Sequence, residues 1–129
     1  MPTATDEFPA VFAALRAILE PYADRLVLKY DTDTDYYLNT AHVCKNKQPL
    51  FFAAATIKKN YVSFHLMPIY VFPELRETES DALKARSQGK ACYNFTRVDP
   101  ALFAELERLT RTGFERYELS GMLDGKWCA

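Results

Sequence analysis

His65 and Cys92 are the residues of this chain whose types are best suited to catalysis. A histidine titrates near neutral pH and can act as a general base, and a cysteine beside it becomes a nucleophile when its thiol pKa falls. Structural histidines held by hydrogen bonds are more common, and the spacing does not show that these two side chains meet. A cysteine-dependent enzyme using Cys92 and His65 is therefore one hypothesis, and no catalytic residue is assigned.

Three carboxylates recur at alternate positions in Asp31, Asp33 and Asp35, as they do at the start of a calcium-binding loop. The sequence then departs from the calcium-loop pattern, because Tyr36 stands where that loop needs glycine and His42 stands where it needs a bidentate glutamate. Asp and Thr also favour turns, since their side chains bond to their own backbone. We predict a turn here and keep the three aspartates as metal candidates only.

The cysteines lie at positions 44, 92 and 128, an odd number without a CxxC pair. This set fits neither a secreted disulfide framework nor a zinc knuckle, so we expect reduced thiols. His42 and Cys44 can join His65 and Cys92 as four potential zinc ligands, but their spacing matches no closed zinc pattern. The residues themselves therefore predict no cofactor.

The stretch from Phe51 to Met67 predicts a β-hairpin around the dipeptide Lys59-Asn60, because asparagine tolerates the backbone of a tight turn. With this turn, the cross-strand pairs are Ile57 with Val62, Ala55 with Phe64 and Ala53 with Leu66. Phe51 extends this apolar row, which we expect to face the core. Phe52 is expected on the other face, among polar residues.

That second face is the predicted binding face. Its candidate ligand-binding residues, taken from the alternation along the strands and from one turn, are Tyr37, Tyr61, Ser63, His65, Lys90 and Asn94. Aromatic walls with a few convergent polar groups are typical of small-molecule sites. Lys90 is included because a Gly-Lys turn can meet an anion with its backbone N–H groups. The alternative is that segment 68–90 folds over this face and satisfies its polar groups internally.

Periodicity predicts the elements that position this face. Residues 8–22 carry a helical apolar stripe capped by Thr5 or Asp6, and Asp99-Pro100 starts a second helix. The buried stripe of that second helix is Leu102, Leu106, Leu109, Gly113 and Tyr117. Strands are predicted at 26–31, 35–40 and 91–98, with a short helix that begins at Thr78 or Ser80 and is closed by Gly89. We therefore predict one two-layer α+β domain over 1–129, with an ordered core at 8–118, in which both terminal helices pack on one face of an antiparallel sheet of about five strands.

Composition excludes several function classes. The chain has 129 residues and a formal charge of −1, so no global field favours nucleic acid or anionic lipid. We expect neither a leader nor a membrane span, and we expect a cytoplasmic location. No GxSxG, Walker A, GxGxxG or HExxH pattern supports a standard hydrolase, nucleotide or zinc-protease function. Exposed aromatics at Tyr36, Tyr70 or Phe72 can form a homodimer patch or be buried.

Four stretches carry a resemblance to a known family. They are Tyr61-Val-Ser-Phe-His-Leu-Met-Pro68, Gln88-Gly-Lys90, Tyr93-Asn-Phe95, and the Asp99 helix as far as Gly113-Phe114. Over residues 8–117 the chain resembles the YdhG-like family of small bacterial domains of unknown function. The resemblance implies a compact two-layer α+β fold similar to frataxin, and some relatives are described as iron-binding. It implies no catalytic residues.

The chain departs from a frataxin-type iron surface, which uses a dense run of carboxylates on the first helix and strand. Here the first helix offers Asp6, Glu7 and Glu20, and Lys29 precedes Asp31. We therefore expect a non-enzymatic binding or accessory domain, whose small-molecule or protein partner meets the polar face. An iron carrier using the three turn aspartates and the cysteine-dependent enzyme are the alternatives.

Overall fold

The computed structural model describes residues 7–43, 49–89, 91–121 and 123, without the side chains of residues 42 and 43. The helices are α1 (Phe8–Leu19), α2 (Met67–Val71), α3 (Asp81–Lys84) and α4 (Pro100–Leu119), with 3-10 turns at Glu20–Arg25 and Pro73–Thr78. The strands are β1 (Val27–Asp31), β2 (Asp35–Val43), β3 (Pro49–Ile57), β4 (Val62–Leu66) and β5 (Cys92–Phe95). Among the described residues, no helix has both the length and the apolar composition needed to cross a membrane.

The five strands form one antiparallel sheet in chain order, β1-β2-β3-β4-β5, which confirms the predicted fold class. The central hairpin has the predicted register, with Ile57 opposite Val62, Ala55 opposite Phe64 and Ala53 opposite Leu66. The Lys58 N–H donates to the Tyr61 carbonyl at 2.8 Å, so Lys59 and Asn60 form the tip. Residues opposite each other across these strands share a face, so this register decides which side chains meet.

A β-bulge at the start of the hairpin reverses the prediction for Phe51 and Phe52. Leu38 pairs with Ala53, whereas the next residue of β2 pairs with Phe51, so Phe52 is the extra residue. The extra residue shifts the alternation by one position. Phe52 is fully buried in the helix layer, and Phe51 lies on the opposite face beside Tyr37. The predicted placement of both residues was therefore wrong.

The helix layer covers the face of the sheet that carries Ala53, Ala55 and Phe64. The stripe predicted for α4 is buried throughout, and the Asp99 carboxylate caps this helix by accepting a hydrogen bond from the Leu102 N–H at 3.2 Å. Ser80 caps α3 in the same way, as predicted. The proposed caps of α1, Thr5 and Asp6, lie outside the described residues.

Residues 67–84 pack on α4 and not over the other face of the sheet. Ile69, Leu75 and Leu83 join the core, and Glu74 forms an ion pair with Arg116 of α4. The alternative in which segment 68–90 covers the polar face is therefore wrong for these residues. The reason is that Pro68 and its apolar neighbours form a helical turn that must bury its own hydrophobic side.

Gly89 has the predicted left-handed backbone, with φ of 81°, but it does not close a helix. α3 ends at Lys84, and residues 86–88, called here the edge segment, run beside β5. The Gln88 N–H donates to the Cys92 carbonyl at 2.8 Å, and the Asn94 N–H donates to the Arg86 carbonyl at 2.9 Å. Gly89 therefore lies in the turn that leads from the edge segment into β5.

The three aromatic residues considered for a homodimer patch differ in their exposure to solvent. Tyr36 is buried under the Arg16 guanidinium of α1, whose carbon lies 4.6 Å from the ring centroid, so it offers no surface. Tyr70 is 56% exposed on α2, and Phe72 packs on Tyr117. Of the three, Tyr70 is the residue that presents an aromatic ring widely to solvent.

Candidate ligand-binding face of the sheet

The open face is the face of the sheet opposite the helix layer, and the strand register assembles it from residues far apart in sequence. Across β3, β4 and β5, one row contains Ala54, His65 and Cys92, and the next contains Thr56, Ser63 and Asn94. The edge segment extends both rows, because Gln88 lies beside Cys92 and Arg86 lies beside Asn94. Four of the predicted binding residues, Tyr61, Ser63, His65 and Asn94, therefore occupy neighbouring positions.

A shallow cavity of about 350 Å³ lies at one end of these rows. Its lining residues are Tyr61, Ala85, Arg86, Ser87, Gln88, Asn94 and Thr96. The Asn94 side-chain amide donates to the Gln88 side-chain carbonyl, so the two amides orient each other. The cavity brings together two predicted residues, Tyr61 and Asn94, and adds two that the sequence analysis missed, Arg86 and Gln88. A Gln-Gly pair flanked by short extended stretches was the available signal for a hairpin turn here.

An aromatic row runs across the open face on the other side of His65. Ring centroids lie 5.7 Å apart for Tyr30 and Tyr37, 4.6 Å for Tyr37 and Phe51, and 6.1 Å for Phe51 and His65. The Lys29 ammonium lies 5.3 Å from the Tyr37 ring centroid, a cation–π distance. Tyr37 therefore belongs to this aromatic row and not to the cavity, and the predicted set of binding residues divides into two groups.

The imidazole of His65 is held neutral over a wider pH range than usual. Partial shielding of the ring from water lowers its pKa, and the positive charge of Lys58 lowers the pKa further. Both causes disfavour the imidazolium, so the ring is uncharged at neutral pH. His65 can then accept a hydrogen bond as well as donate one.

We expect the His65 pKa, measured by NMR titration of the imidazole, to lie below the ordinary histidine value. Lys58→Gln should raise that pKa because it removes a positive charge that opposes protonation. Lys59→Gln is the matched control, since it removes the same charge from the adjacent exposed position at the hairpin tip. Equal effects of the two substitutions would show that Lys58 does not act locally on His65.

Cys92 stands directly opposite His65 in the register, so the structure brings the two catalytic candidates together. Burial raises the pKa of the Cys92 thiol, and a hydrogen bond with Ser63 and the charge of Lys58 lower it less strongly. The thiol donates to the Asn94 side-chain oxygen at 3.6 Å. A raised thiol pKa is opposite to what an activated nucleophile needs.

We expect alkylation of Cys92 by iodoacetamide to be slow at neutral pH and to accelerate only above the ordinary thiol pKa. Because the raised pKa keeps the thiol protonated, the reactive thiolate appears late in the titration. Peptide mass spectrometry separates Cys92 from Cys44 and Cys128. Rapid labelling of Cys92 at neutral pH that His65→Ala abolishes would instead support the enzyme hypothesis.

The three turn aspartates do not converge. Asp31 lies on the helix side, where its carboxylate pairs with Arg16 at 2.7 Å, because it stands opposite Tyr36. Asp35 stands opposite Thr56 and accepts a hydrogen bond from the Thr34 hydroxyl at 2.8 Å. The Thr32 hydroxyl accepts from the N–H groups of the turn, in keeping with the predicted turn chemistry. In the part of the chain that the structure describes, no group of three or more metal-ligating side chains comes together.

Three of the sequence candidates cannot be placed. Lys90 and Cys44 lie outside the described residues, and so does the side chain of His42. Comparison with protein-family models, with curated proteins and with solved structures finds no significant match for this chain. The resemblance to the YdhG-like family therefore stays a prediction, and the candidate site rests on the geometry of the chain itself.

Proposed function

We propose that this chain is a non-catalytic binding domain that holds a small molecule on the open face of its sheet, around Tyr61, His65 and Asn94. The observation that carries the proposal is the cavity between β4, β5 and the edge segment, in which an aromatic ring, two amides and a guanidinium converge. Sites of this kind place a few polar groups on a rigid support. Here the support is the hydrogen-bonded sheet, whose opposite face is packed against the helix layer.

Two observations favour binding over catalysis. Burial raises the pKa of the Cys92 thiol, and the thiol donates a hydrogen bond to the Asn94 side chain. The neutral His65 has the polarity of a ligand contact and lies against a partly exposed aromatic neighbour, Phe51. Membership of the YdhG-like family and a cytoplasmic location are further proposals, and neither is needed for this one. An iron carrier is the alternative function.

Native mass spectrometry of the untagged protein from its source cells tests this function. We expect a stoichiometric small-molecule adduct that Tyr61→Ala removes. Tyr70→Ala is the matched control, because Tyr70 is an exposed tyrosine of α2, in the layer on the other side of the sheet. The intact mass also gives the number of copies in the assembly, which tests the homodimer.

Other outcomes of this experiment contradict the proposal. A protein of bare mass would argue against a small ligand and would favour a protein partner. Iron found by elemental analysis, and lost when Asp31, Asp33 and Asp35 are changed to Asn, would support the iron carrier. An adduct that survives Tyr61→Ala would place the ligand elsewhere.

A further inference from the structure

Two cations flank the cavity on the open face. Lys58 stands opposite Tyr61 at the hairpin tip, where its N–H donates to the Tyr61 carbonyl, and Arg86 stands beside Asn94 in the edge segment. The register beyond the Val62–Phe95 pair puts Thr96 next to Tyr61. The ring of Tyr61 and the amide of Asn94 therefore lie between a lysine and an arginine.

Neither cation is neutralised within the part of the chain that the structure describes. There, carboxylate partners are found for Arg16, Arg25, Arg76 and Arg116, and none is found for Lys58 or Arg86. The positive charge of Lys58 lowers the pKa of both His65 and Cys92, so Lys58 acts electrostatically on the open face. In the row that contains Asn94, the carboxylate of Asp35 is three strands away and already accepts from Thr34.

The uncharged groups of the cavity are also suited to binding an anion that carries a planar ring. The Asn94 amide and the Thr96 hydroxyl can donate hydrogen bonds, and the guanidinium of Arg86 can donate two in parallel to a carboxylate or phosphate. The Tyr61 ring offers a flat apolar surface on the wall of the cavity. A volume of about 350 Å³ suits a ligand of one or two rings.

We infer that this cavity binds a small molecule carrying a carboxylate or phosphate next to a planar ring. The inference rests on the proposed function and names its ligand class. Arg86, which lines the cavity, holds the anionic group, and Lys58 adds positive charge from the hairpin tip. The ring lies against Tyr61, and the amides of Asn94 and Gln88 orient the polar edge. Arg86 and Gln88, which the sequence analysis missed, thereby become specificity determinants together with Lys58.

The test is titration of the nitrogen-15-labelled protein with benzoate, phenyl phosphate and uncharged benzamide, followed in amide NMR spectra at constant ionic strength. We expect saturable shifts centred on Tyr61, Arg86 and Asn94 for one or both anions and much weaker binding of benzamide. The benzoate and phenyl phosphate arms decide whether carboxylate or phosphate is preferred. Arg86→Gln and Lys58→Gln should each weaken binding of the preferred anion by about fivefold, the upper end for a charge contact at an exposed position.

Matched controls separate a local site from bulk charge. Lys84→Gln and Lys59→Gln remove the same charge from exposed neighbours of Arg86 and Lys58, and they should leave the affinity within about twofold, as expected for surface charges at a distance. Absence of saturable shifts with both anions, or equal effects of site and control substitutions, would overturn the inference. Benzamide binding as tightly as the anions at Tyr61 would overturn the anionic class while leaving the proposed binding function intact.

Discussion

Phe52→Ala should lower the free energy of unfolding by about 3–5 kcal/mol, the usual cost of truncating a buried phenylalanine. Phe52 is fully buried, and its ring centroid lies 5.7 Å from those of Phe114 and Tyr117 and 5.9 Å from that of Tyr22. This one side chain therefore ties the sheet to α4 and to the turn after α1. Its removal leaves a cavity that these rings cannot close without moving the helices. Urea denaturation measures the loss.

Phe51→Ala is the matched control for the same experiment. The Phe51 ring lies on the open face against Tyr37 and His65, and its backbone carbonyl, which accepts from the Tyr117 hydroxyl at 3.0 Å, is unaffected by the substitution. We expect a loss of about 1 kcal/mol, as for a partly exposed side chain. Strict alternation of side chains along β3, without the bulge, puts Phe51 in the core and therefore predicts the larger loss of stability for Phe51→Ala. A larger loss at Phe51 than at Phe52 would show that the bulge is misplaced.

Gly113→Ala should destabilise the protein by about 1–3 kcal/mol, the usual cost of forcing extra volume into a packed contact. In an open helix the same change stabilises by up to about 1 kcal/mol, because alanine has the higher helix propensity. Here a Cβ on Gly113 would lie 2.7 Å from the Cβ of Pro68 and 3.0 Å from its Cγ. The ring of Pro68 cannot rotate away, so α2 and α4 must separate.

Thr112→Ala is the control for the helix-propensity effect. Thr112 precedes Gly113 in α4 and is only partly buried, so the change raises helix propensity without a clash. Its effect on the midpoint of thermal unfolding should be small and, if anything, stabilising. A stabilising effect of Gly113→Ala that matches this control would mean that the contact between α4 and Pro68 is looser than the structure has it.

A buried polar cluster under β5 depends entirely on the tertiary structure. The side chain of Glu79 is fully shielded from solvent and accepts a hydrogen bond from the Tyr93 hydroxyl, while the Arg76 guanidinium lies 3.6 Å from the same oxygen. Burial, followed by the hydrogen bond to Glu79 and the negative charge of that carboxylate, raises the pKa of Tyr93 well above its usual range. Nothing in the sequence distinguishes Glu79, which directly follows the turn Pro73–Thr78, from the exposed Glu74 and Glu77 within that turn.

The sequence alone determined several local features of this protein. Backbone preferences within a few residues can be predicted from one sequence. They explain the helix caps at Asp99 and Ser80, the turn at Lys59-Asn60 and the register of the central hairpin. The same alternation correctly placed Tyr61, Ser63, His65 and Asn94 on one face. The two predicted hairpins, β1-β2 and β3-β4, follow from the same local preferences, because short turns join neighbouring antiparallel strands.

Only the tertiary structure decided where that alternation breaks and what borders the open face. The extra residue at Phe52 is stabilised by rings of α4 more than sixty positions away, so no local signal marks it. The edge segment takes its place because the backbones of Arg86 and Gln88 form hydrogen bonds with the outer side of β5, and this pairing puts Arg86 in the cavity with Tyr61 and Asn94. Burial and long-range pairing are collective properties of the packed chain, and they converted a row of polar residues into a candidate binding site.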